Sequence, residues 1–130
     1  MATHASQVTH GIRVEVRSEY SPDRSDPAEG AWFFLYRITI TNEGNVPARL
    51  LRRHWVITNA EGQTQEVRGD GVVGAQPHLR PGESFDYVSG CPLSTPFGAM
   101  QGSYTFLRDD GTAFEVSIPV FTLALPHALN

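Results

Sequence analysis

Apolar and polar residues alternate along most of this chain, and the alternation has a period of two. The best example is the segment from Ile12 to Arg17, and a longer one runs from Trp32 to Thr41. The same pattern recurs around Trp55, Phe85, Tyr104 and Phe114. A period of two buries one face of a β-strand and leaves the other in water, so each segment predicts a half-buried strand. No long segment combines apolar spacings of three and four, which predicts a low helix content.

Turn-forming residues separate these predicted strands. The segments Asn42–Asn45, Asn59–Gly62 and Asp109–Gly111 each predict a hairpin or tight turn. Arg80–Glu83 has Pro and then Gly at its central positions, which predicts a type II turn. The polar, proline-containing segment Ser21–Gly30 predicts an exposed, mobile loop.

The last predicted strand contains a proline, which has no N–H group for a β-ladder. Pro119 therefore predicts an edge strand or a bulge, and the apolar parity does shift between Ile118 and Phe121. About seven short strands with this turn spacing predict an all-β fold, an antiparallel β-sandwich of the immunoglobulin or fibronectin type III kind.

Composition narrows the possible functions. The chain has 130 residues, of which 40% are hydrophobic and 18% charged, as expected for one globular domain. All 10 basic residues are Arg, which excludes lysine Schiff bases and the lysine of phosphate-binding loops. The net charge of −4 argues against a nucleic-acid partner, because phosphate binding needs a basic face.

The single cysteine and the apolar segments bear on location. Cys91 has no second cysteine with which to form an intramolecular disulfide, and the N-terminal residues do not resemble a secretory signal. The longest aromatic-aliphatic segment, Ala31–Tyr36, is too short to cross a bilayer. We therefore expect a cytoplasmic protein without membrane insertion.

A glycine-rich segment, Gly69–Gly74, matches the pattern GxGxxG. In dinucleotide-binding folds this pattern opens a helix whose N-terminus holds the pyrophosphate, but the nearby Pro81 leaves no room for a helix here. Two interpretations remain, a structural glycine loop and a loop that binds an anion or a partner. The residues of the second interpretation are Arg68, Gly69, Asp70, Gly71, Gly74 and Gln76.

The only basic cluster lies directly before Trp55. Strand parity predicts that Arg52 and His54 face outward, whereas Leu51 and Arg53 face inward with Trp55. An inward Arg53 should lie near the end of the sheet or pair with an acid. Arg52 and His54 are a candidate recognition face for a carboxylate, a phosphate or a partner protein. The alternative is an ordinary solvated strand face with one buried ion pair.

Catalytic and metal-binding patterns are not visible. The histidines lack the close spacing of metal ligands, and Cys91 has no neighbouring histidine to activate it, which favours a buried structural thiol. There is no GxSxG segment. We expect no catalytic residues, no metal and no cofactor. The histidines are His4, His10, His54, His78 and His127.

Several segments together resemble the ApaG family over almost the whole chain. The longest of them are Val67–Pro77 and Leu79–Phe85. The others are Arg53–Thr58, Ser89–Leu93, Thr95–Pro96, Gly98–Tyr104 and Ile118–Phe121. The resemblance implies a single ApaG domain over residues 8–130, preceded by a flexible N-terminus at residues 1–7. It also implies a fibronectin type III-like sandwich, in agreement with the strand pattern.

The resemblance also implies a function. Bacterial ApaG proteins are linked by name to cobalt and magnesium efflux, and similar domains in eukaryotic F-box and polymerase-associated proteins look like protein-interaction modules. The family has no assigned catalytic residues. We therefore expect a non-enzymatic module that binds an unknown protein and influences divalent-cation homeostasis. The alternative is a protein that binds a nucleotide or pyrophosphate at the glycine loop. A homodimer through a sheet edge is also compatible with the sequence.

Overall fold

The computed structural model describes residues 3–126, which form nine strands and two short 3₁₀ helices. The strands are β1 (Thr3–Thr9), β2 (Ile12–Tyr20), β3 (Trp32–Asn42), β4 (Ala48–Asn59), β5 (Thr64–Asp70), β6 (His78–Leu79), β7 (Ser84–Leu93), β8 (Phe97–Arg108) and β9 (Ala113–Ala124). The 3₁₀ helices, Pro22–Arg24 and Pro27–Glu29, join β2 to β3. No helix in residues 3–126 is long and apolar enough to cross a membrane.

The strands form two antiparallel sheets that pack face to face, which confirms the all-β sandwich. The first sheet has the order β1-β2-β3-β7, and the second has the order β5-β4-β8-β9, with β6 paired to β4. The chain crosses between the sheets after β3, after β6 and after β7.

The core lies between the sheets and is built from the inward residues that the alternation predicted. Val14 of β2, Ile38 of β3, Tyr104 and Phe106 of β8 and Val116 of β9 are fully buried. Each large side chain of this kind contributes about 1.5–3 kcal/mol by leaving water, so these positions supply much of the driving force for folding.

The first strand overlaps the N-terminal segment, residues 1–7, that we expected to be flexible. Thr3–Thr9 form β1, which pairs with β2 from Thr3–Ser18 to Thr9–Ile12. A tight turn joins the two strands, because both His10 (φ 51°) and Gly11 (φ 81°) adopt the left-handed conformation that two-residue hairpins need. The sequence does not reveal β1 because most of its residues are polar and only Ala5 packs against the core.

The turns predicted at Asn59–Gly62, Asp109–Gly111 and Arg80–Glu83 are present, whereas the hairpin or tight turn predicted at Asn42–Asn45 is wrong, because the chain there crosses from β3 in the first sheet to β4 in the second. Gly62 and Gly111 have positive φ in the β4–β5 and β8–β9 connections. At Arg80–Glu83, the N–H of Glu83 donates to the carbonyl of Arg80 at 2.9 Å, and Gly82 has φ 87°. The segment Ser21–Gly30 is largely exposed, as predicted, but the two 3₁₀ helices give it regular structure.

Both predictions from Pro119 are confirmed. Strand β9 is an edge strand of the second sheet. The register between β8 and β9 shifts there, since Met100 pairs with Phe121 whereas Gly102 pairs with Ile118. The extra residue of β9 restores the inward direction of Phe121 after the proline.

The two sides of the sandwich differ in how they are closed. On one side, Thr3 and Ser18 of the first sheet donate hydroxyl hydrogen bonds to the carbonyl of Thr122 on β9, at 2.9 and 2.8 Å. The opposite side, between the edge strands β5 and β7, has no strand pairing along either edge within residues 3–126. We call it the open side, and it carries the candidate site.

Candidate functional site

The glycine loop follows β5 on the open side and forms a very tight turn. The N–H of Val72 donates to the carbonyl of Ala75, and the N–H of Ala75 donates to that of Val72, both at 2.8 Å. The two residues between them, Val73 (φ 42°) and Gly74 (φ 80°), are both left-handed. Gly71 is also left-handed, at φ 62°. Glycine meets these angles without strain, whereas a β-branched valine is strained there.

Several N–H groups of the loop are already engaged in hydrogen bonds within the protein. Besides Val72 and Ala75, the N–H of Gly71 donates to the carbonyl of Leu51 at 2.7 Å. The residues that follow lead to the short strand β6, not to a helix, as the sequence predicted. The geometry therefore gives no support to a dinucleotide site, since such a site needs free N–H groups at a helix N-terminus.

Gln76 and the strand before the site hold the loop in place. The side-chain amide of Gln76 donates to the carbonyl of Leu51 at 3.0 Å, and Arg49 Nη1 donates to the main-chain carbonyl of Gln76 at 2.7 Å. The candidate loop residue Gln76 is therefore engaged in hydrogen bonds that fix the loop against β4.

Arg53 faces inward, as strand parity predicted, but it neither ends the sheet nor pairs with an acid. It lies in the middle of β4, and its Nη1 donates to the carbonyls of Asp70 and Gly71, each at 2.9 Å. No carboxylate of the described residues forms an ion pair with it. Two carbonyl dipoles replace the expected acid, and they leave the charge of the guanidinium uncompensated.

The expected inward direction of Leu51 is wrong. The register between β4 and β8 shifts after Leu50, so Leu51 is an extra residue in a bulge. Leu50 is fully buried instead, while Leu51 is only half-buried. The bulge changes the parity of the strand and thereby places Arg53 and Trp55 on the same face as Leu50.

Between β5 and β7 the two sheets enclose a cleft of about 310 Å³, which we call the inter-sheet cleft. Arg53 lies along it, and Gln65, Ser89 and the hydroxyl-bearing Tyr36 add polar groups. Its apolar walls include Trp55, Val67, Val72 and Met100. A concave apolar surface with a few polar groups is the usual form of a binding site.

Several ionisable groups in the cleft are held in their neutral forms. Burial raises the pKa of the Tyr36 and Tyr87 hydroxyls, and burial raises the pKa of the Cys91 thiol to about 11. Tyr87 and Tyr104 share a hydrogen bond of 2.6 Å between their hydroxyl oxygens. Cys91 is buried and free, as the sequence predicted, and its raised pKa disfavours the nucleophilic thiolate.

On the outer face of the second sheet, the structure brings the two predicted sites together. His54 and Arg68 are opposite each other in the β4–β5 ladder, and so are Arg52 and Asp70. With Ser103, Thr105 and Glu115, they line a shallow groove of about 440 Å³, which we call the outer groove. The candidate recognition face and the start of the glycine loop are therefore one continuous surface.

Glu66 lies next to His54 and Arg68 on the same face of the sheet, two residues before Arg68 on β5. Its carboxylate accepts hydrogen bonds from His54 Nε2 at 2.6 Å and from Arg68 Nη2 at 3.1 Å. These bonds, that from His54 first, hold the pKa of Glu66 below its usual value. Because Glu66 already binds both basic groups, the outer groove has less positive charge for an external anion than the sequence suggests.

Within residues 3–126, no group of three or more His, Cys, Asp or Glu side chains could hold a metal ion. His78 hydrogen-bonds Asp109 at 2.9 Å, and His127 lies outside the described residues.

Comparison with known proteins places the chain in a family. The sequence model of the ApaG domain family matches residues 22–108. The chain belongs to the ApaG family. It is 51% identical over 126 residues to Protein ApaG of Anaeromyxobacter dehalogenans strain 2CP-C, covering 97% of this chain and 99% of that protein. Protein ApaG of Pseudomonas aeruginosa strain LESB58 is 50% identical over 125 residues, covering 96% of this chain and 99% of its own.

A solved structure agrees with the fold of this ApaG-family chain. The crystal structure of a Bordetella pertussis protein, described as ApaA, superimposes with a TM-score of 0.86 at 49% identity. The match covers 93% of this chain and 95% of that chain. The two-sheet arrangement is therefore supported by an experimentally determined relative.

The outer residues of the candidate site could be predicted from the sequence, whereas the residues of its inner wall could not. Tyr36, Val67 and Tyr87 line the inter-sheet cleft but were read only as parts of strands. Because side chains alternate along a strand, Arg53 was expected on the same face as Trp55. This was the sequence signal for a polar group inside the cleft. The hydrogen-bond acceptors of Arg53 could not be predicted, because they are main-chain carbonyls, which every residue has.

Proposed function

We propose that this protein is a non-enzymatic binding module that engages a protein partner at the inter-sheet cleft. The observation that carries the proposal is the open side, where an apolar cleft of about 310 Å³ lies between two unpaired strand edges. Arg53, whose charge no described carboxylate neutralises, lies within it. Unpaired edges and an apolar groove with a charged group are features that protein partners recognise.

The non-enzymatic character is supported by the state of the nucleophile candidates. Cys91 is buried with a raised pKa, and the hydroxyl groups of Tyr87 and Tyr104 hydrogen-bond each other. Ser103 is opposite His54 in the ladder, but no hydrogen bond joins the two side chains in the described part of the chain. A nucleophile without a base in contact lacks the arrangement that catalysis needs.

We extend the proposal to the fold type and the location. An immunoglobulin or fibronectin type III-like topology is supported by the strand orders β2-β3-β7 and β5-β4-β8-β9 and by the crossings after β3 and β7. The cytoplasm is supported by the one free thiol, Cys91.

Site-specific photo-crosslinking in cells tests the partner proposal. A photoreactive amino acid replaces Val73, which lines the cleft and is 61% exposed, or Val8 of β1, which is 44% exposed and lies away from the open side. We expect a discrete protein adduct from position 73 and none from position 8. No adduct at 73, or equal adducts at both positions, contradicts the proposal.

The family resemblance implies a link to cobalt and magnesium efflux. We propose that the protein influences the efflux of these cations indirectly, by binding its protein partner. A strain that lacks the gene is complemented with the wild-type protein, with Arg53→Gln, or with Arg17→Gln as the matched control. Arg17 is an exposed arginine on β2, away from the cleft. We expect wild type and Arg17→Gln to restore cobalt tolerance and Arg53→Gln to restore less. Equal tolerance in all strains, including the deletion, contradicts the association.

A further inference from the structure

Strand β5 presents a row of main-chain groups that no other strand uses. The N–H of Gly71 donates to Leu51 and the N–H of Asn59 donates to Gln63, which fixes the phase of the β4–β5 ladder. Since alternate residues of an antiparallel ladder point toward the partner strand, the N–H and C=O groups of Glu66 and Arg68 point away from β4. No strand of residues 3–126 lies beyond them.

The inner face of this edge carries a cation with unused donors. The Arg53 guanidinium packs against Gly69, and its Nη1 bonds the carbonyls of Asp70 and Gly71. Among the described residues, no acceptor engages its Nε or Nη2 atom. Nε and Nη2 form one side of the guanidinium fork, which matches the two oxygens of a carboxylate.

An apolar part of the cleft wall lies next to the Arg53 guanidinium. It is two residues away along β5, which is the spacing of side chains on the same face of a strand. Val67 precedes Gly69 by two residues on the inner face of β5, and it lines the cleft together with Trp55, Val72 and Tyr87. A strand added beside β5 would point every second side chain into the cleft. One such side chain would reach Arg53, and the next would reach the apolar wall.

The other edge of the open side is less suited to an acidic segment. The N–H of Asn42 donates to the carbonyl of Glu83, so Glu83 and every second residue after it on β7 point their main-chain groups toward β3. The main-chain groups of Asp86, Val88 and Pro92 therefore point to the free edge. Pro92 has no N–H to donate, and Asp86 brings a negative charge, although Arg37 pairs with it at 2.6 Å. Among the residues that line the cleft, Arg53 is the charged one and it lies against β5, so charge complementarity for an acidic segment favours β5.

We propose that an extended segment of the partner adds to β5 as a further strand, placing an Asp or Glu carboxylate on Arg53 and an apolar side chain, two residues away, in the inter-sheet cleft. The inference rests on the proposed function and names the chemistry of the partner segment. Main-chain hydrogen bonds to Glu66 and Arg68 supply affinity, and the carboxylate and apolar side chain supply specificity.

Synthetic peptides test this inference. The probes are acetylated and amidated nine-residue peptides of alternating Thr and Val that carry Glu and, two residues later, Leu, which is the order in which an antiparallel strand beside β5 passes Gly69 and then Val67. Matched peptides replace that Glu by Gln or Lys, or move it by one residue so that it faces away from Leu. Amide hydrogen exchange and chemical shifts of the full-length protein are followed by NMR. We expect the first peptide to bind at least about tenfold more tightly than the others and to slow exchange at Glu66 and Arg68.

Two pairs of variants identify the edge and the cation. Arg68→Pro removes an edge-facing N–H without removing a β4 ladder bond, and Val88→Pro does the same on β7. We expect Arg68→Pro to abolish binding and Val88→Pro to preserve it. Arg53→Gln should weaken binding by at least about tenfold, while Arg17→Gln should leave it unchanged. Thermal unfolding of each variant shows that it is folded.

The opposite results overturn the inference. Loss of binding in Val88→Pro but not in Arg68→Pro would place the segment on β7. Dimerisation of the wild type that Arg68→Pro abolishes, measured by sedimentation velocity, would make a second copy of this chain the occupant of β5. If no peptide binds at millimolar concentration while position 73 still crosslinks a protein, strand addition fails and the proposed function stands. If both experiments are negative, both fail.

Discussion

A Cβ atom on Gly69 would lie 2.7 Å from Nη2 of Arg53. The glycine is therefore the reason that the guanidinium can lie flat against β5 and reach the carbonyls of Asp70 and Gly71. The first glycine of the GxGxxG segment thus makes room for an arginine, whereas in a dinucleotide fold the glycines make room for a pyrophosphate.

Gly69→Ala should displace Arg53 at a moderate cost in stability. The end of a long side chain can move, so we expect a loss of about 1–2 kcal/mol from the two hydrogen bonds. Gly102→Ala is the comparison, because its Cβ would lie 2.0 Å from the main-chain oxygen of His54, which cannot move alone. That change should cost at least about 3 kcal/mol.

Urea denaturation of both variants measures these losses. Equal losses would contradict the interpretation that Gly69 accommodates a side chain whereas Gly102 accommodates a backbone. Chemical shifts of the Arg53 side chain should change in Gly69→Ala and serve as the control that the guanidinium has moved.

The two left-handed glycines of the loop should differ in their tolerance of alanine. A Cβ on Gly74 would meet nothing within 4 Å, so Gly74→Ala should cost only the about 1–2 kcal/mol of the left-handed conformation. A Cβ on Gly71 would lie 2.4 Å from the carbonyl oxygen of Ala75, so Gly71→Ala should cost clearly more. The midpoint of thermal unfolding ranks the two, and the reverse order would contradict the described turn.

Val73 offers the opposite test in the same turn. Its side chain is exposed and its φ of 42° is unfavourable for a β-branched residue. Val73→Asn should therefore raise the free energy of unfolding by about 1 kcal/mol, because asparagine tolerates the left-handed region. Val8→Asn, at an exposed strand position, is the control and should not stabilise the protein. A Val73→Asn variant no more stable than wild type would show that the turn is not strained.

The fold could be predicted where apolar and polar side chains alternate clearly along a strand. It could not be predicted where main-chain pairing and strand register determine the structure. The bulge at Pro119 could be read from the sequence, because the proline and the shift in parity both mark it. The bulge at Leu51 could not, since leucine fits either parity and its true direction depends on the register with β8. The polar strand β1 was missed for a related reason, as it is held by main-chain pairing with β2 across the His10–Gly11 turn.

The candidate site was predictable in its members and not in its connections. The sequence named Arg52, His54 and Arg68, but not Glu66, whose carboxylate joins His54 to Arg68. Hairpin register decides which residues are neighbours on one face, and the length of the β4–β5 turn sets that register. The inner site around Arg53 depends on two sheets that are far apart in sequence, so only the fold brings its walls together.

The contacts of Glu66 predict how its pKa responds to substitution. The hydrogen bond from His54 and the hydrogen bond and charge of Arg68 all lower the pKa of Glu66, so His54→Ala and Arg68→Ala should each raise it. Carboxyl ¹³C shifts across an acid titration measure both changes. Arg17→Gln, distant from Glu66, is the control and should leave the pKa unchanged. An unchanged pKa of Glu66 in either alanine variant would contradict the described hydrogen-bond arrangement.

Cys91 should make the stability of the protein fall in alkaline solution. Burial raises the pKa of its thiol from 9.0 to about 11, so between these pH values the folded protein retains a proton that the unfolded chain has lost. The stabilisation is complete below about pH 9 and is lost as the pH rises toward about 11. The raised pKa values of Tyr36 and Tyr87 act in the same direction at higher pH, again because burial disfavours the charged form.

Two measurements check this expectation. Cys91→Ala should show a smaller decrease in the free energy of unfolding between pH 8 and pH 10.5 than the wild type, since alanine does not titrate. At pH 8, the native thiol should react with a disulfide reagent far more slowly than the same thiol in urea, because the thiolate is the reactive form. Rapid modification of the native protein at pH 8 would contradict the burial of Cys91, and with it the closed inner wall that Cys91 contributes to the inter-sheet cleft.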